Sequence, residues 1–199
     1  NYFLCDLPIP TPNLNQFGLR QDVGGGMPLD LDGDGYEDFL MHPQYNDSDN
    51  WDTFTTIPTS FEMYMYRDGG FVYEDLIVSN YPDFKMYLCN KIIPGDFDND
   101  GDVDMFLSGT GPDVAPLIGE QSYILENNYS TDGTFFAHPV GPSDGYLHHS
   151  ATGDLDNDGD LDIMIPRNRN NFLINNGGFN FTAKDGINVV RESDIENIN

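Results

Sequence analysis

A nine-residue acidic pattern occurs three times in the chain, and it is the feature that most restricts the fold and the function. Residues 30–38, 96–104 and 154–162, which we call the first, second and third loops, all obey D-x-D-x-D-G-x-x-D. They contain 14 aspartates and Glu37, out of 34 acidic residues in a chain of 199. A pattern with five fixed positions does not recur three times by chance at this length.

The spacing of the carboxylates within each loop indicates a cation site. Side chains at positions 1, 3 and 5 converge on one point if the chain wraps round it, and glycine at position 6 permits the sharp turn that wrapping requires. Position 7 then offers a backbone carbonyl, and the aspartate at position 9 closes the shell. Because these donors are hard oxygens without histidine or cysteine, the pattern favours Ca²⁺, about one ion per loop, and Mg²⁺ fits less well. The alternative is three solvated acidic turns without an ion.

The residues that follow the loops exclude two other kinds of calcium site. An EF-hand requires a bidentate glutamate at position 12, followed by a helix. Here position 12 is Met41, Leu107 and Ile165, and each lies in a short apolar run that is typical of a buried strand. The loops also lie too far apart for tandem glycine-rich nonapeptide repeats.

The order of elements around each loop predicts a repeat of roughly sixty residues with four short strands. A strand enters each loop, a second strand leaves it, and a hairpin follows. The hairpin turns are predicted near Asp68-Gly69-Gly70, Asp132-Gly133 and Asn176-Gly177-Gly178. No segment has a sustained 3.6-residue apolar period, so an all-β fold with little helix is expected. The approximate units are 17–84, 85–144 and 145–186, within a single domain of residues 1–199.

The loops, their spacing and the segment N-x-F-L-I-N-N-G-G-F-x-F at residues 170–181 resemble FG-GAP repeats. These repeats occur in the propellers of integrin α-subunits and in VCBS-type relatives, and the resemblance covers about residues 17–186. It implies a β-propeller-like fold in which each repeat is a four-stranded blade with a calcium loop between its first and second strands. The Phe-Gly and Gly-Ala-Pro landmarks of the integrin version are mostly missing, which favours the VCBS branch.

The resemblance also implies a set of calcium ligands. The implied side-chain ligands are Asp30, Asp32, Asp34 and Asp38; Asp96, Asp98, Asp100 and Asp104; and Asp154, Asp156, Asp158 and Asp162. The implied main-chain ligands are Tyr36, Asp102 and Asp160.

Three blades are too few for an ordinary closed ring, since propellers have roughly four to eight. The chain could be a portion of a longer propeller. Its terminal segments, residues 1–16 and 187–199, could instead form inter-blade strands of a degenerate fourth blade. In a third arrangement, closure or stacking occurs between copies, because an open blade edge is a template for association.

The charge of the chain excludes two classes of partner. Its formal net charge is -26, with only 8 lysines and arginines. A nucleic-acid binder that works through phosphate contacts needs many more cations, and so does a protein that docks on an anionic membrane. No run approaches 18 apolar residues, so membrane insertion is not expected.

Several smaller motifs give weaker signals. Asn46, Asn128 and Asn180 begin N-glycosylation triplets, and Cys5 and Cys89 could form a disulfide in an oxidising compartment. Residues 141–145 match G-x-S-x-G, but their surroundings indicate a turn between blades and not a nucleophile elbow. The four histidines, among them His148 and His149, are interpreted as structural.

These signals together predict a secreted, extracellular or cell-surface, non-enzymatic glycoprotein module, stabilised by calcium and used for recognition, adhesion or assembly. One alternative is a structural subunit of an extracellular fibre or surface layer built by strand exchange. Another is the propeller portion of a secreted carbohydrate-active enzyme. The expected partner is a protein or a glycan, and the candidate surface is the insertion at residues 42–60. It contains Tyr45, Trp51 and Phe54, which could instead pack on their own blade.

Overall fold

The computed structural model describes residues 20–46, 58–111, 113–114, 117–145, 147, 149–165 and 172–184. Within these residues the fold is all-β, with three four-stranded sheets and one two-stranded sheet. The three larger sheets follow one another along the chain, and each contains one of the acidic loops. The prediction of an all-β chain built from three four-stranded units is therefore confirmed.

The first sheet has antiparallel strands in the order of the chain. Its strands are β1 (Arg20–Leu29), β2 (Asp38–Asn46), β3 (Glu62–Arg67) and β4 (Gly70–Asp75). The first loop connects β1 to β2. Residues of β3 alternate between two methionines, Met63 and Met65, which are buried, and two tyrosines that are half-buried. This alternation places the methionines against the next sheet.

The second sheet repeats this arrangement with a short helix in its hairpin. Its four main strands are β5 (Cys89–Gly95), β6 (Asp104–Gly109), β9 (Glu120–Asn128) and β10 (Thr134–Gly145), in the order β5-β6-β9-β10. Strands β7 (Asp113–Val114) and β8 (Leu117–Ile118) form the two-stranded sheet between β6 and β9, and helix α1 (Tyr129–Asp132) lies between β9 and β10. Every residue of β6 is buried, which makes it a central strand of the molecule.

The third sheet is built from shorter strands. They are β11 (Ala151–Gly153), β12 (Asp162–Met164), β13 (Phe172–Asn175) and β14 (Phe181–Lys184), again in chain order. In all three sheets the acidic loop connects the first strand to the second, as predicted. The three hairpin turns also occur where they were predicted, between the third and fourth strands of each sheet.

Residues 141–145 correct one prediction. They form the end of β10 and not a turn between units, with an irregular register between Val140 and Gly145. The strand is possible here because Gly145 still pairs with Glu120 of β9 after the irregularity. A strand that continues through this segment does not present a nucleophile elbow, since that motif requires a strand-to-helix turn at the serine.

Two apolar clusters lie between successive sheets. Because side chains alternate along a strand, the second sheet presents one face to the first sheet and the other face to the third. The cluster between the first and second sheets includes Leu40, Met63, Met105 and Leu125. The cluster between the second and third sheets includes Phe106, Ile124, Ile163 and Leu173. The three sheets are therefore packed face to face in chain order, while closure into a ring stays a prediction.

The predicted disulfide is not supported. Cys89 is a free thiol, fully buried, and burial raises its pKa to about 12. Its sulfur contacts the backbone oxygen of Lys91 at 3.3 Å. Cys5 lies outside the described residues. Among the described residues no helix is long and apolar enough to cross a membrane.

Candidate metal centres

The three acidic loops share one backbone conformation. Glycine at position 6 has a positive φ in each loop, between 89° and 99°, which is the sharp turn that the pattern predicts. Position 4 is also left-handed: Gly33 has φ 72°, and Asn99 and Asn157 each have φ 63°. Glycine and asparagine adopt this conformation most readily, so the choice of residue at position 4 is a signal that the sequence prediction did not use.

The carboxylate at position 1 holds the turn closed by accepting two backbone hydrogen bonds. Asp30 accepts from the N–H of Asp34 at 3.1 Å and from that of Gly35 at 2.9 Å. Asp96 and Asp154 make the same pair of bonds, all at 3.1 Å. A carboxylate has about four lone-pair sites, so each of these oxygens can still face a cation.

The carboxylate at position 9 is buried and connects the loop to the sheet. Asp38, Asp104 and Asp162 are no more than 1% exposed. One oxygen of each accepts from the N–H at position 2 of its own loop, at 2.7 to 3.0 Å. The other oxygen accepts from the N–H of the third strand, at 2.7 to 2.8 Å, where the donors are Tyr66, Asn127 and Asn175. Position 9 thus fixes the loop to the third strand.

Positions 1, 3 and 9 converge in every loop. One carboxylate oxygen from each of these three residues lies within 4.8 Å of the others. The converging groups are Asp30, Asp32 and Asp38; Asp96, Asp98 and Asp104; and Asp154, Asp156 and Asp162. Three carboxylates at this separation repel one another in water, and a cation between them removes the repulsion.

Positions 5 and 7 are placed differently. The position-5 aspartates Asp34, Asp100 and Asp158 are not in the converging groups, and each accepts from the N–H at position 7 at 2.9 to 3.0 Å. At position 7, the ring of Tyr36 stacks on Tyr66 with centroids 5.2 Å apart. Three of the four predicted side-chain ligands of each loop therefore meet, while ligation by position 5 and by the carbonyl at position 7 stays a prediction.

Burial raises the pKa of three of the converging carboxyls. Burial raises the pKa of Asp104 to about 7, against the opposing effect of its two backbone hydrogen bonds. The pKa of Asp38 is also raised, mainly by burial, although the nearby Arg67 guanidinium lowers it. Burial likewise raises the pKa of Asp98. A carboxyl that is hard to ionise alone is stabilised as a carboxylate when a cation binds beside it.

The donor set fits a hard divalent cation. The converging groups consist of carboxylate oxygens, which suit Ca²⁺, Mg²⁺ or Mn²⁺ and not the softer metals that require nitrogen or sulfur. Ca²⁺ typically takes six to eight oxygen ligands, and the predicted ligands at positions 5 and 7 would add to the three converging carboxylates. The three groups could therefore hold metal ions, and they are compatible with calcium.

Arg67 distinguishes the first loop from the others. Its Nη1 lies 2.7 Å from Asp32 Oδ2 and 4.0 Å from Asp34 Oδ2. Its Nη2 lies 3.6 Å from Glu74, whose other oxygen accepts a short hydrogen bond from the Tyr129 hydroxyl. The converging group of the first loop therefore includes a carboxylate that already has a cationic partner from the protein.

Two asparagines connect successive sheets at the loops. The Asn127 side-chain amide donates to Leu31 O, at position 2 of the first loop, at 2.9 Å. The Asn175 amide donates to Phe97 O, at position 2 of the second loop, at 2.7 Å. Each also donates to position 8 of its own loop. Sequence reasoning missed both residues, although their alignment at the end of the third strand could have revealed them.

The described histidines have structural contacts. His42 is buried, and burial lowers its pKa to about 4. Its Nδ1 accepts a hydrogen bond from the N–H of Cys89, and its Nε2 lies 3.1 Å from Met86 O. His138 contacts Glu126 at 2.7 Å and stacks on Phe179, in the turn between β13 and β14. His148, Trp51 and Phe54 lie outside the described residues.

Comparison with protein families agrees with this geometry. Three four-stranded sheets, each with an acidic loop between its first two strands, define an all-β repeat protein. The model of the FG-GAP-like repeat matches residues 96–165, from the start of the second loop to the strand after the third. This match supports the prediction of an FG-GAP/VCBS repeat protein. A search of curated proteins finds none that matches the chain.

Proposed function

We propose that the chain is a calcium-stabilised extracellular module that acts by recognition, adhesion or assembly and not by catalysis. One observation carries the proposal: the same three carboxylates converge in all three loops, and one of them is the buried aspartate that ties the loop to its sheet. A solvated acidic turn would not need a fully buried carboxylate in each of the three loops.

The ion would act as a structural connection. Bound between positions 1, 3 and 9, it would neutralise the converging carboxylates and fix the corner between the first and second strands. Because position 9 also accepts a hydrogen bond from the third strand, the ion would hold three strands of each sheet in register. Asn127 and Asn175 would then transmit this rigidity from one sheet to the next, since each bonds to the loop of the preceding sheet.

The resemblance to FG-GAP repeats supports an extracellular setting, and the affinity typical of extracellular calcium sites is compatible with it. FG-GAP repeats are typically extracellular. Extracellular calcium modules bind with Kd values of roughly 10⁻⁴ to 10⁻³ M, so the ions would be permanent structure where calcium is millimolar. At a tenfold excess of calcium over Kd, each ion would add about 1.4 kcal/mol to the free energy of unfolding.

The ligand would be a protein or a glycan, recognised by loops of the rigid scaffold. The candidate surface lies within the predicted insertion at residues 42–60, but its start is corrected by the structure: residues 42–46 belong to β2 and His42 is buried. Assembly of several copies is the second candidate function, because one face of the third sheet is not covered by another of the described sheets.

Thermal unfolding in calcium, in magnesium and in chelator tests the proposal. The melting temperature should be highest in calcium, lower in magnesium and lowest in chelator. Equal melting temperatures in all three conditions, together with no calcium bound in equilibrium dialysis, would contradict it.

A further inference from the structure

Two apolar residues recur on the leading face of each sheet, which we define as the side turned towards the next sheet along the chain. The first is the residue at position 2 of the loop. The second lies in the strand after the loop, two residues beyond the aspartate at position 9. Leu31 and Leu40 in the first sheet, and Phe97 and Phe106 in the second, are no more than 1% exposed. The corresponding residues of the third sheet differ: Leu155 is 45% exposed and Met164 is 41% exposed.

The first two leading faces are buried because the next sheet covers them. Leu31 and Leu40 belong to the apolar cluster between the first and second sheets, and Phe97 and Phe106 to the cluster between the second and third. The face at Leu155 is thus the third instance of a surface that is an interface in both earlier instances.

The uncovered face extends across the third sheet. Met164 pairs with Phe172, and Phe172 pairs with Lys184, so these three side chains share one side of the sheet. Phe172 is half-buried and Lys184 is exposed. The surface is therefore apolar at its inner strands and has a cation on its outer strand, β14.

The trailing face of the first sheet, the side turned away from the second sheet, is uncovered as well. Tyr64 pairs with Phe39 on one side and with Tyr73 on the other. The residues that correspond to Phe39 and Tyr64 are fully buried in the second and third sheets. Here Phe39 and Tyr64 are only half-buried, and Tyr73 is 53% exposed. The first sheet thus has an aromatic surface of the kind that covers a leading face elsewhere in the chain.

The charges on the two uncovered faces are opposite. Glu62 pairs with Asp75 across β3 and β4, on the same side of the sheet as the two tyrosines. Glu62 accepts a hydrogen bond from the Tyr64 hydroxyl, and Asp75 accepts one from the Tyr73 hydroxyl. Lys184 lies on the outer strand of the third sheet. If the faces meet as successive sheets do within the chain, outer strands meet outer strands. The cation would then approach the two carboxylates.

We propose that the leading face of the third sheet binds the trailing face of the first sheet in a second copy of this chain. The contact continues the face-to-face packing of the sheets, and it joins surfaces of matching apolarity and opposite charge. Two copies supply six four-stranded sheets, within the range of roughly four to eight at which propellers close. Both copies then use both faces, and the assembly is a closed dimer.

The contact between copies differs from the contacts within the chain at one position. In the second and third sheets the third strand has Asn127 or Asn175 at or near its end, and the side chain bonds to the preceding loop. In the first sheet this position is Tyr66, which has no side-chain amide. In the contact between copies, Leu155 O would therefore receive no corresponding hydrogen bond. The dimer should therefore dissociate more readily than the sheets of one chain separate.

Sedimentation equilibrium of the full chain in calcium tests the inference. The wild type should form a dimer in a concentration-dependent manner. The double variant Leu155→Asp/Met164→Asp and the single variant Tyr73→Asp, on the opposite face, should each be monomers with unchanged circular dichroism. The matched control is Ile77→Asp, because Ile77 is 54% exposed but lies in the connection after β4. It should remain dimeric.

Two results would overturn the inference: a wild type that is monomeric at every concentration, or a dimer that survives Leu155→Asp/Met164→Asp. A monomer would mean that another segment of the same chain covers these faces. Calcium stoichiometry measured on the same samples separates this inference from the proposed function. A dimer that depends on these faces but binds no calcium would support the interface and contradict the calcium proposal.

Discussion

The first and second loops have the same backbone and the same converging carboxylates, but they differ in what neutralises them. Beside the first loop, the last residue of the third strand is Arg67, whose guanidinium contacts Asp32 at 2.7 Å. In the second loop the corresponding residue is Asn128, whose amide donates to Glu126 at 3.2 Å. The first loop therefore has an internal cation, and the second has none among its described contacts.

The difference teaches that one acidic pattern can be stabilised in two ways. An ion pair as exposed as Arg67 with Asp32 is worth up to about 1 kcal/mol, which is about a fivefold change in an equilibrium constant. Calcium has to compete with this pair in the first loop. We therefore expect the second and third loops to bind calcium more tightly than the first.

Removal of a position-3 carboxylate should have the largest effect. Asp98→Ala and Asp156→Ala should each remove one bound ion, because calcium loses one of three converging carboxylates. They should lower the melting temperature in calcium but not in chelator. Asp32→Ala should lower the calcium-dependent stability less, since the first loop relies partly on Arg67.

Isothermal titration calorimetry gives the stoichiometry of these variants. Asp83→Ala is the control, because Asp83 is an exposed aspartate that pairs with Lys85 away from the loops. Unchanged calcium stoichiometry in both Asp98→Ala and Asp156→Ala would contradict the assignment of the sites.

Loss of an asparagine between sheets should have the next largest effect. Asn127→Ala leaves Leu31 O and Val103 O without their amide donor, which should lower the free energy of unfolding by about 1 to 3 kcal/mol. Asn128→Ala, next to it, removes only a bond to Glu126 and should change stability by less than about 0.5 kcal/mol. Urea denaturation measures both. Equal effects of the two variants would show that Asn127 does not connect the sheets.

The raised pKa of Asp104 predicts how pH changes the second loop. Calcium binds the carboxylate, so the affinity should fall as pH drops below about 7, by up to about tenfold per pH unit. Without calcium, the stability of the fold should change with pH in the opposite direction and fall as pH rises. A carboxyl whose pKa in the folded protein lies above its usual 3.8 stabilises the fold below pH 4, and this contribution is lost as pH rises through 7.

Unfolding in chelator between pH 4 and 8 measures this effect. The variant Asp104→Asn keeps the shape of the side chain and removes the titration, so its stability should vary less with pH. An equal pH dependence in the variant would assign the titration to another group. The first loop should depend on pH in the same direction, because burial raises the pKa of Asp38 against the opposing effect of its two backbone hydrogen bonds and of Arg67.

Replacement of Arg67 should have the smallest effect and should tend to equalise the loops. Arg67→Gln removes the cation that competes with calcium, so the affinity of the first loop should rise by about fivefold. Lys85→Gln is the control, because Lys85 pairs with Asp83 outside the loops. Titration calorimetry in calcium would show the weakest site approaching the other two. A weaker first site in Arg67→Gln would mean that Arg67 orients Asp32 for the ion.

The sequence predicts the repeated elements well because local patterns determine them. The glycine at position 6 and the alternation of Met63, Tyr64 and Met65 act within a few residues, and the loops and strands occur where expected. The links between sheets were not predictable, because Asn127 and Leu31 are 96 residues apart. Arg67 was missed for a related reason: no sequence pattern indicates that a side chain at the end of the third strand reaches back to the loop. Residues 141–145 were misjudged because glycine and proline there suggested a turn, whereas pairing with β9 extends the strand.

Calcium titration of the full chain after removal of metal, followed by isothermal calorimetry, tests the central claim most directly. We expect about three bound ions, two with similar affinity in the second and third loops and a weaker one in the first loop. The double variant Asp98→Ala/Asp156→Ala should retain only the weaker ion. No calcium binding at millimolar concentration, or the same stoichiometry in the wild type and the double variant, would contradict the account.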